Sequence, residues 1–123
     1  MADNYITIHD KNGSINISED VLTEMVRNSI LETEGVAGIS AVAGAELAEL
    51  IGIKNINKGL NVYMNGDVIT ADAVINVKYG CNILNVARKV QEAVASSIEQ
   101  ATGEKNACIN INVSGVEFDK KSV

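Results

Sequence analysis

An Asn-Gly pair at positions 65 and 66 separates two runs of alternating apolar and polar residues, and this pattern constrains the fold more than any other feature. Asn-Gly favours the type I′ turn, whose twist matches that of two antiparallel strands. Residues 60–64 form the first run and residues 68–79 the second. We expect a β-hairpin with one face in the core and the other face mostly solvated or covered by a partner. The face expected in the core carries Ile69, Ala71, Ala73, Ile75, Val77 and Tyr79.

Two further segments carry apolar residues at helical spacing. The first follows Ser18, a residue type that caps helix N-termini, and Gly35 is a natural stop, so we expect a helix over residues 19–34. The second follows Asn82, another N-cap residue type, and ends at Gly103. It is the clearest amphipathic helix of the chain. Its apolar stripe consists of Ile83, Val86, Ala87, Val90, Val94, Ile98 and Ala101.

The first half of the chain contains weaker strand signals. Residues 5–9 and 14–17 form a small hairpin around an Asp-Lys-Asn-Gly turn, or else residues 1–12 are a flexible tail. Residues 36–42 predict a short strand interrupted by small residues. The stretch 43–59 is expected to be an excursion with a helical turn, since apolar residues at helical spacing are broken there by Gly and Asn.

The chain closes with alternating residues at 109–113, which predict a last strand, and with a polar tail at 117–123. Two helices packed on one face of a mixed, mainly antiparallel sheet would bury every apolar stripe and face together. We therefore predict an α+β two-layer sandwich. No repeat or Pro-rich linker divides the chain, so residues 1–123 are expected to form a single domain.

Composition limits the classes of function. Aromatic residues make up only 3% of the chain, so aliphatic side chains must fill a thin core. The formal net charge of −6 opposes binding to nucleic acid phosphates. No signal-peptide pattern opens the sequence, and no apolar run approaches the roughly 20 residues that span a bilayer. We expect a cytoplasmic protein that neither binds nucleic acid nor inserts directly into a membrane.

No set of residues has the spacing of a catalytic or metal site. His9 is the one histidine, and we interpret it as an ordinary surface residue. Asp72 lies mid-strand among polar neighbours, which favours a solvated position. Cys81 precedes a helix N-terminus, a location typical of reactive thiols, but a small buried residue explains it better because no histidine is near in sequence. We predict no enzyme activity, no catalytic residue, no cofactor and no metal.

Five segments form a series along the chain: GSINIS at 13–18, EGVAGI at 34–39, KGLNV at 58–62, VKYGCNILNVARKVQ at 77–91 and NINVSGV at 110–116. In this order and spacing they resemble the landmarks of the alkaline shock protein family of bacterial envelope stress response proteins. The residues of these motifs that we single out are Gly35, Gly38, Tyr79, Gly80, Asn82 and Arg88. Leu84 departs from the family, in which many members have Pro in the first helical turn. Leu occupies that turn without strain.

The resemblance implies a cytoplasmic, non-enzymatic protein of Gram-positive-type bacteria. Some members of that family gather beneath the membrane through a small membrane-anchored partner, self-associate, and help the cell tolerate envelope stress such as alkaline shock. Others occur beside genes for a kinase-like protein of the dihydroxyacetone kinase type. The resemblance therefore implies a peripheral location at the inner face of the cell membrane, reached through a partner.

Two classes of function remain open from the sequence. The first is a protein-binding scaffold, which would use the polar sheet face, a strand edge or an apolar patch. The second is a small-molecule-binding protein or an accessory subunit of a kinase-like enzyme, indicated by the Gly-rich turn and by the position of Cys81. The residues of the apolar patch, which would otherwise cover one end of the core, are Leu47, Leu50, Ile51, Ile53 and Ile56.

Overall fold

The computed structural model describes residues 5–39 and 59–118. Within these two ranges the chain forms six strands and two helices. In chain order they are β1 (Tyr5–Asp10), β2 (Gly13–Ser18), α1 (Glu19–Glu32), β3 (Val36–Ile39), β4 (Leu60–Asn65), β5 (Val68–Lys78), α2 (Ile83–Thr102) and β6 (Cys108–Glu117).

Strand β5 is the centre of the larger sheet. β4 pairs with it antiparallel over residues 68–73, and β3 pairs with it antiparallel over residues 75–77. β6 runs parallel to β5 over residues 70–78. Because β6 overlaps both pairings, β3 and β4 must share one edge of β5 while β6 takes the other. The predicted hairpin is confirmed, since Asn65 lies opposite Val68 across the Gly66 turn.

Both helices pack on one face of this sheet. Their buried side chains share one hydrophobic cluster with the core face of β5. The α+β two-layer fold, with a mixed and mainly antiparallel sheet, is therefore confirmed. The helical residues of the cluster are Leu22, Val26 and Ile30 of α1 and Val86, Val90, Val94 and Ile98 of α2.

Local capping signals set the helix ends. The Ser18 side chain accepts a hydrogen bond from the Asp20 N–H at 3.1 Å, and the Asn82 side chain accepts one from the Asn85 N–H at 3.0 Å. Gly103 ends α2 in the left-handed region at φ 82°. α1 ends at Glu32, two residues before the predicted end, because the Thr33 backbone is already extended.

The two ends of the described chain are more ordered than a tail would be. Tyr5–Asp10 pairs with Gly13–Ser18, so the tail alternative is wrong for these residues. Ile6 anchors this hairpin because its side chain is fully buried in the main core. At the other end, Glu117 belongs to β6 and is part of a strand rather than of a polar tail.

Two burial predictions for β5 are wrong. On the face away from the helices, Thr70 and Asp72 are buried and Val74 has no exposed surface. For Asp72 the reason is that side chains of β4 and β6 reach over it from both edges of β5. Tyr79, expected in the core, is 68% exposed because the strand ends at Lys78 and Gly80 turns the chain at φ +94°.

Replacing Leu22 with Ala should destabilise the fold, whereas the same change at Leu31 should not. Leu22 has no exposed surface and Leu31, on the same helix, is 49% exposed. We expect Leu22→Ala to lower the free energy of unfolding by about 2–5 kcal/mol and Leu31→Ala by less than about 0.5 kcal/mol. Urea denaturation followed by circular dichroism measures both, and equal losses would contradict the assigned helix face.

Candidate protein-binding surface

The sheet and α2 meet at one end of the molecule in a turn that is held from both sides. The Lys78 N–H donates to the Gly35 carbonyl at 2.9 Å, and the Tyr79 N–H donates to the Glu117 carbonyl at 2.8 Å. The Cys81 N–H then donates back to the Lys78 carbonyl at 3.3 Å, just before α2 begins. These bonds connect the ends of β5 and β6 with the start of β3. The exposed side chains at this end therefore stand on a fixed backbone.

This end carries a group of exposed apolar side chains, which we call the end surface. Tyr79 and Phe118 are 68% and 66% exposed, and their ring centroids lie 4.5 Å apart at an interplanar angle of 31°. Ile83 and Leu84 are exposed in the first turn of α2, and Val116 is exposed near the end of β6. Five of the eleven exposed large apolar side chains of the described residues thus lie at one end of the protein.

Most of the motif residues that we singled out shape the backbone at this end of the molecule and do not line a pocket. Gly35 has φ +96°, and a Cβ atom there would lie 2.6 Å from Val86 Cγ2, so only Gly allows this approach to α2. Gly80 turns the chain after β5, and Asn82 caps α2. Arg88 lies apart from them, exposed on a shallow groove between α2 and β6. The motif is therefore explained mostly by the geometry of the turn.

A buried carboxylate lies on the face of the sheet that points away from the helices. Asp72 accepts hydrogen bonds from the Tyr63 hydroxyl and from the Asn110 amide, both at 2.7 Å, and is only 4% exposed. We call these three residues the Asp72 cluster. The predicted solvated position is wrong, because side chains of β4 and β6 reach over Asp72 from both edges. The hydrogen bond to the carboxylate raises the pKa of Tyr63 to about 12, with desolvation as a smaller cause.

The other predicted site residues are dispersed. His9 is exposed in β1, and Cys108 is exposed at the start of β6. Cys81 is half-buried against the core, with its sulfur close to Gly35, which agrees with a packing role. Within the two described ranges, no three His, Cys, Asp or Glu side chains lie close enough to hold a metal ion. The apolar patch Leu47, Leu50, Ile51, Ile53 and Ile56 lies outside the described residues.

Sequence reasoning missed the end surface. It assigned Tyr79 to the core by strand parity and placed Phe118 in a polar tail. One usable signal was present, because Leu84 falls outside the helical stripe that begins Val86, Val90 and Val94. A large aliphatic residue on the solvent side of a helix start becomes informative only when other exposed apolar side chains lie beside it, as they do here.

The fold and the end surface together define a small two-layer α+β protein with exposed apolar side chains at one end. Its sequence matches the profile of the ASP23 (alkaline shock protein) family, cell envelope-related function, over residues 7–118. The chain belongs to this family, which confirms the resemblance found in its motifs.

Relatives of similar length come from Bacillus and Streptococcus. YloU of Bacillus subtilis (strain 168) is 30% identical over 113 residues, which cover 90% of this chain and 94% of that protein. YqhY of the same organism is 30% identical over 110 residues, covering 89% and 82%. Spy1614 of Streptococcus pyogenes serotype M6 is 27% identical over 114 residues, covering 91% and 94%. Both genera are Gram-positive, as the resemblance implied.

Solved structures with a similar fold include MamM-CTD. It superposes with a TM-score of 0.51 at 16% identity, covering 78% of this chain and 96% of that one. A variant of MamM-CTD gives a TM-score of 0.52 at 14% identity, covering 81% and 92%. At this identity the likeness shows the fold alone. No helix within the described residues is long and apolar enough to cross a membrane.

Two of the motif glycines should respond differently to Ala. Gly35→Ala adds a Cβ against Val86 and strains a positive φ, so we expect the free energy of unfolding to fall by about 1–3 kcal/mol. Gly38 lies in β3 with open space around it, so Gly38→Ala should leave stability unchanged or raise it by up to about 1 kcal/mol. Thermal and urea unfolding of the two variants measure the difference, and a costly Gly38→Ala would contradict it.

The Tyr63 hydroxyl should lose its proton at a higher pH than an ordinary tyrosine. Its pKa of about 12 lies above the ordinary value of 10, so the bond to Asp72 stabilises the fold fully below pH 10 and loses that contribution as the pH rises towards 12. Phenolate absorbance should show this late step, Tyr63→Phe should abolish it, and Asp72→Asn should shift the step to lower pH. The stability advantage of the wild type over Tyr63→Phe should shrink between pH 10 and 12. An unshifted step in Asp72→Asn would exclude the carboxylate as the cause.

Proposed function

We propose that this protein is a non-enzymatic, protein-binding scaffold of the cell envelope stress response, and that its end surface binds a protein partner. The observation that carries this proposal is the exposed group of Tyr79, Ile83, Leu84, Val116 and Phe118 at one end of the molecule. Apolar side chains gathered on a rigid backbone are typical of protein contact sites.

The chemistry of the end surface favours a protein as its ligand. Aromatic side chains supply large contact area for little loss of conformational freedom, and Tyr79 and Phe118 already stack on each other. The hydrogen bonds of Tyr79 and Cys81 fix the turn before any partner arrives. Such preorganisation lowers the entropic cost of binding. An apolar face of a partner helix or segment would match this surface.

The opposite sheet face is a poorer contact site. Both carboxylate oxygens of Asp72 already accept hydrogen bonds from within the chain. The nearby Asn76 amide group is also engaged, since it donates to Glu117 and accepts from Ser114. These polar groups would have to break internal bonds in order to bind a partner, which disfavours the exchange.

Family membership supports the cellular side of the proposal, because the family is described as having a cell envelope-related function. We extend this to a protein that is recruited to the inner face of the cell membrane by a small membrane-anchored partner and that self-associates there. The apolar residues 47–56 are proposed as a second contact region. A scaffold needs at least two contact regions, and the end surface is the first of them.

Site-specific photocrosslinking in native cells tests the proposal. A photoreactive amino acid at position 84 should give one discrete protein adduct in the membrane fraction, because Leu84 is 57% exposed within the end surface. The same group at position 21 is the matched control, since Val21 is 53% exposed and lies in the first turn of α1, at the end of that helix remote from Gly35 and the end surface. A probe at position 50 tests the second contact region in the same way.

A charged substitution in the end surface tests whether partner binding is lost. Leu84→Asp should reduce partner recovery at least tenfold, while Val21→Asp should leave it unchanged. Circular dichroism checks that both variants are folded. Equal adducts at positions 84 and 21, or full recovery with Leu84→Asp, would remove the end surface from consideration.

A further inference from the structure

Among the described strands, none pairs with the outer edge of β6, and this edge presents a defined set of backbone groups. The Val74 N–H donates to the Gly59 carbonyl and the Lys78 N–H to the Gly35 carbonyl, so the even residues of β5 point away from β6. Its odd residues therefore point towards β6. In a parallel ladder, when a residue of β5 points its N–H and C=O towards β6, the residue opposite it on β6 points its own N–H and C=O away from β5. The residues opposite Ala71, Ala73 and Ile75, which therefore face outwards, are Ile109, Ile111 and Val113.

A side-chain contact agrees with this assignment. Gln91 of α2 reaches over the edge and donates from Nε2 to the Ile109 carbonyl at 3.1 Å. This bond is expected for an Ile109 carbonyl that points away from β5. We call the outward groups of Ile109, Ile111 and Val113 the β6 edge.

Residues 109–113 of the β6 edge carry no charge, no Pro and no bulge, which are common protections against strand pairing, because the bulge of β6 begins only at Ser114. No described residue extends the sheet beyond β6, and residues 106–116 contain no charge and no Pro. Natural edge strands commonly carry Lys, Pro or strong twist to prevent association. The side chains of Ile109, Ile111 and Val113 also remain only half-buried on the core face. β4, on the opposite side, is a shorter strand of six residues and has β1 against it.

We propose that the β6 edge pairs antiparallel with the same edge of a second copy of this chain, which joins the two sheets into one. The sequence Ile-Asn-Ile-Asn-Val at 109–113 is nearly symmetric about Ile111. A two-fold axis at Ile111 places Ile109 opposite Val113 and Asn110 opposite Asn112. Apolar residues then meet on the core face and amides meet on the other face.

Charge at the two ends of the strand supports the antiparallel direction. Lys105 lies just before β6 and Glu117 is its last residue. An antiparallel pair brings opposite charges near each other at both ends, whereas a parallel pair would bring like charges together. The outward groups of the two copies can form about six backbone hydrogen bonds, two for each facing pair. The Ile109 carbonyl, which accepts from Gln91, has a second lone pair for a donor of the partner strand.

This inference rests on the self-association included in the proposed function, but the pairing uses different residues from the end surface, so it can be tested separately from partner binding. In sedimentation equilibrium across micromolar to millimolar concentrations, the wild type should form dimers. Asn112→Lys and Asn112→Asp should each weaken the dimer about fivefold, because the two copies of residue 112 are diagonal neighbours of like charge. An equimolar mixture of the two variants should regain wild-type affinity. Asn65→Lys, on the same face at the far end of β4, should have no effect.

Amide hydrogen exchange by NMR gives the residue-level readout. The N–H groups of Ile111 and Val113 should become protected as the concentration rises, whereas those of Asn110 and Asn112 face β5 and should be protected throughout. Leu84→Asp should leave both results unchanged, which separates this inference from the proposed partner site. A chain that stays monomeric over the whole range overturns the proposal. A dimer in which Ile111 and Val113 still exchange freely also overturns it.

Discussion

The pairing of β5 along both of its edges is the constraint on which the remaining structure depends. The backbone N–H and C=O groups of β5 point alternately to β6 on one edge and to β3 or β4 on the other. Its side chains alternate between the two faces of the sheet with the same period of two residues. Those that face the helices are Ala71, Ala73, Ile75 and Val77. The small side chains of Ala71 and Ala73 leave room for the branched residues of α2. A chain with so few aromatic residues can therefore still form a close-packed core between two thin layers.

The Asp72 cluster shows how the same strand uses its other face. Asn110 lies directly opposite Asp72 on β6, while Tyr63 is its diagonal neighbour on β4. A buried carboxylate is costly unless donors surround it, and here each oxygen receives one hydrogen bond at 2.7 Å. Both donors reach Asp72 only in this register. The cluster therefore disfavours any sliding of β4 or β6 along β5, which a purely aliphatic face would oppose less specifically.

Sequence reasoning succeeded where the signal is local. The Asn65-Gly66 turn, the Ser18 and Asn82 caps and the Gly103 stop each depend on a few neighbouring residues, and all four lie where they were predicted. It failed for Asp72 and Tyr79, because burial depends on which strands flank a position and on where a strand stops. Strand parity assigns a face to a residue, but it does not reveal that β6 lies beside Asp72 or that the chain turns after Lys78. The end surface was missed for the same reason, since it combines residues from β5, β6 and α2.

A β-bulge in β6 separates the residues of the β6 edge from those of the end surface. Ile75 pairs with Val113 but Asn76 pairs with Gly115, so Ser114 is the extra residue. Ser114 donates to the Asn76 side chain at 3.1 Å, and a Cβ on Gly115 would lie 2.9 Å from the same oxygen, so Asn76 holds the bulge and would have to shift for any larger residue at position 115. Without the extra residue, the parity of β6 would turn Glu117 to the helix side and Val116 away from it. The bulge instead keeps Glu117 beside Asn76 and brings Val116 to the end surface, while β6 keeps a regular register with β5 from Cys108 to Val113.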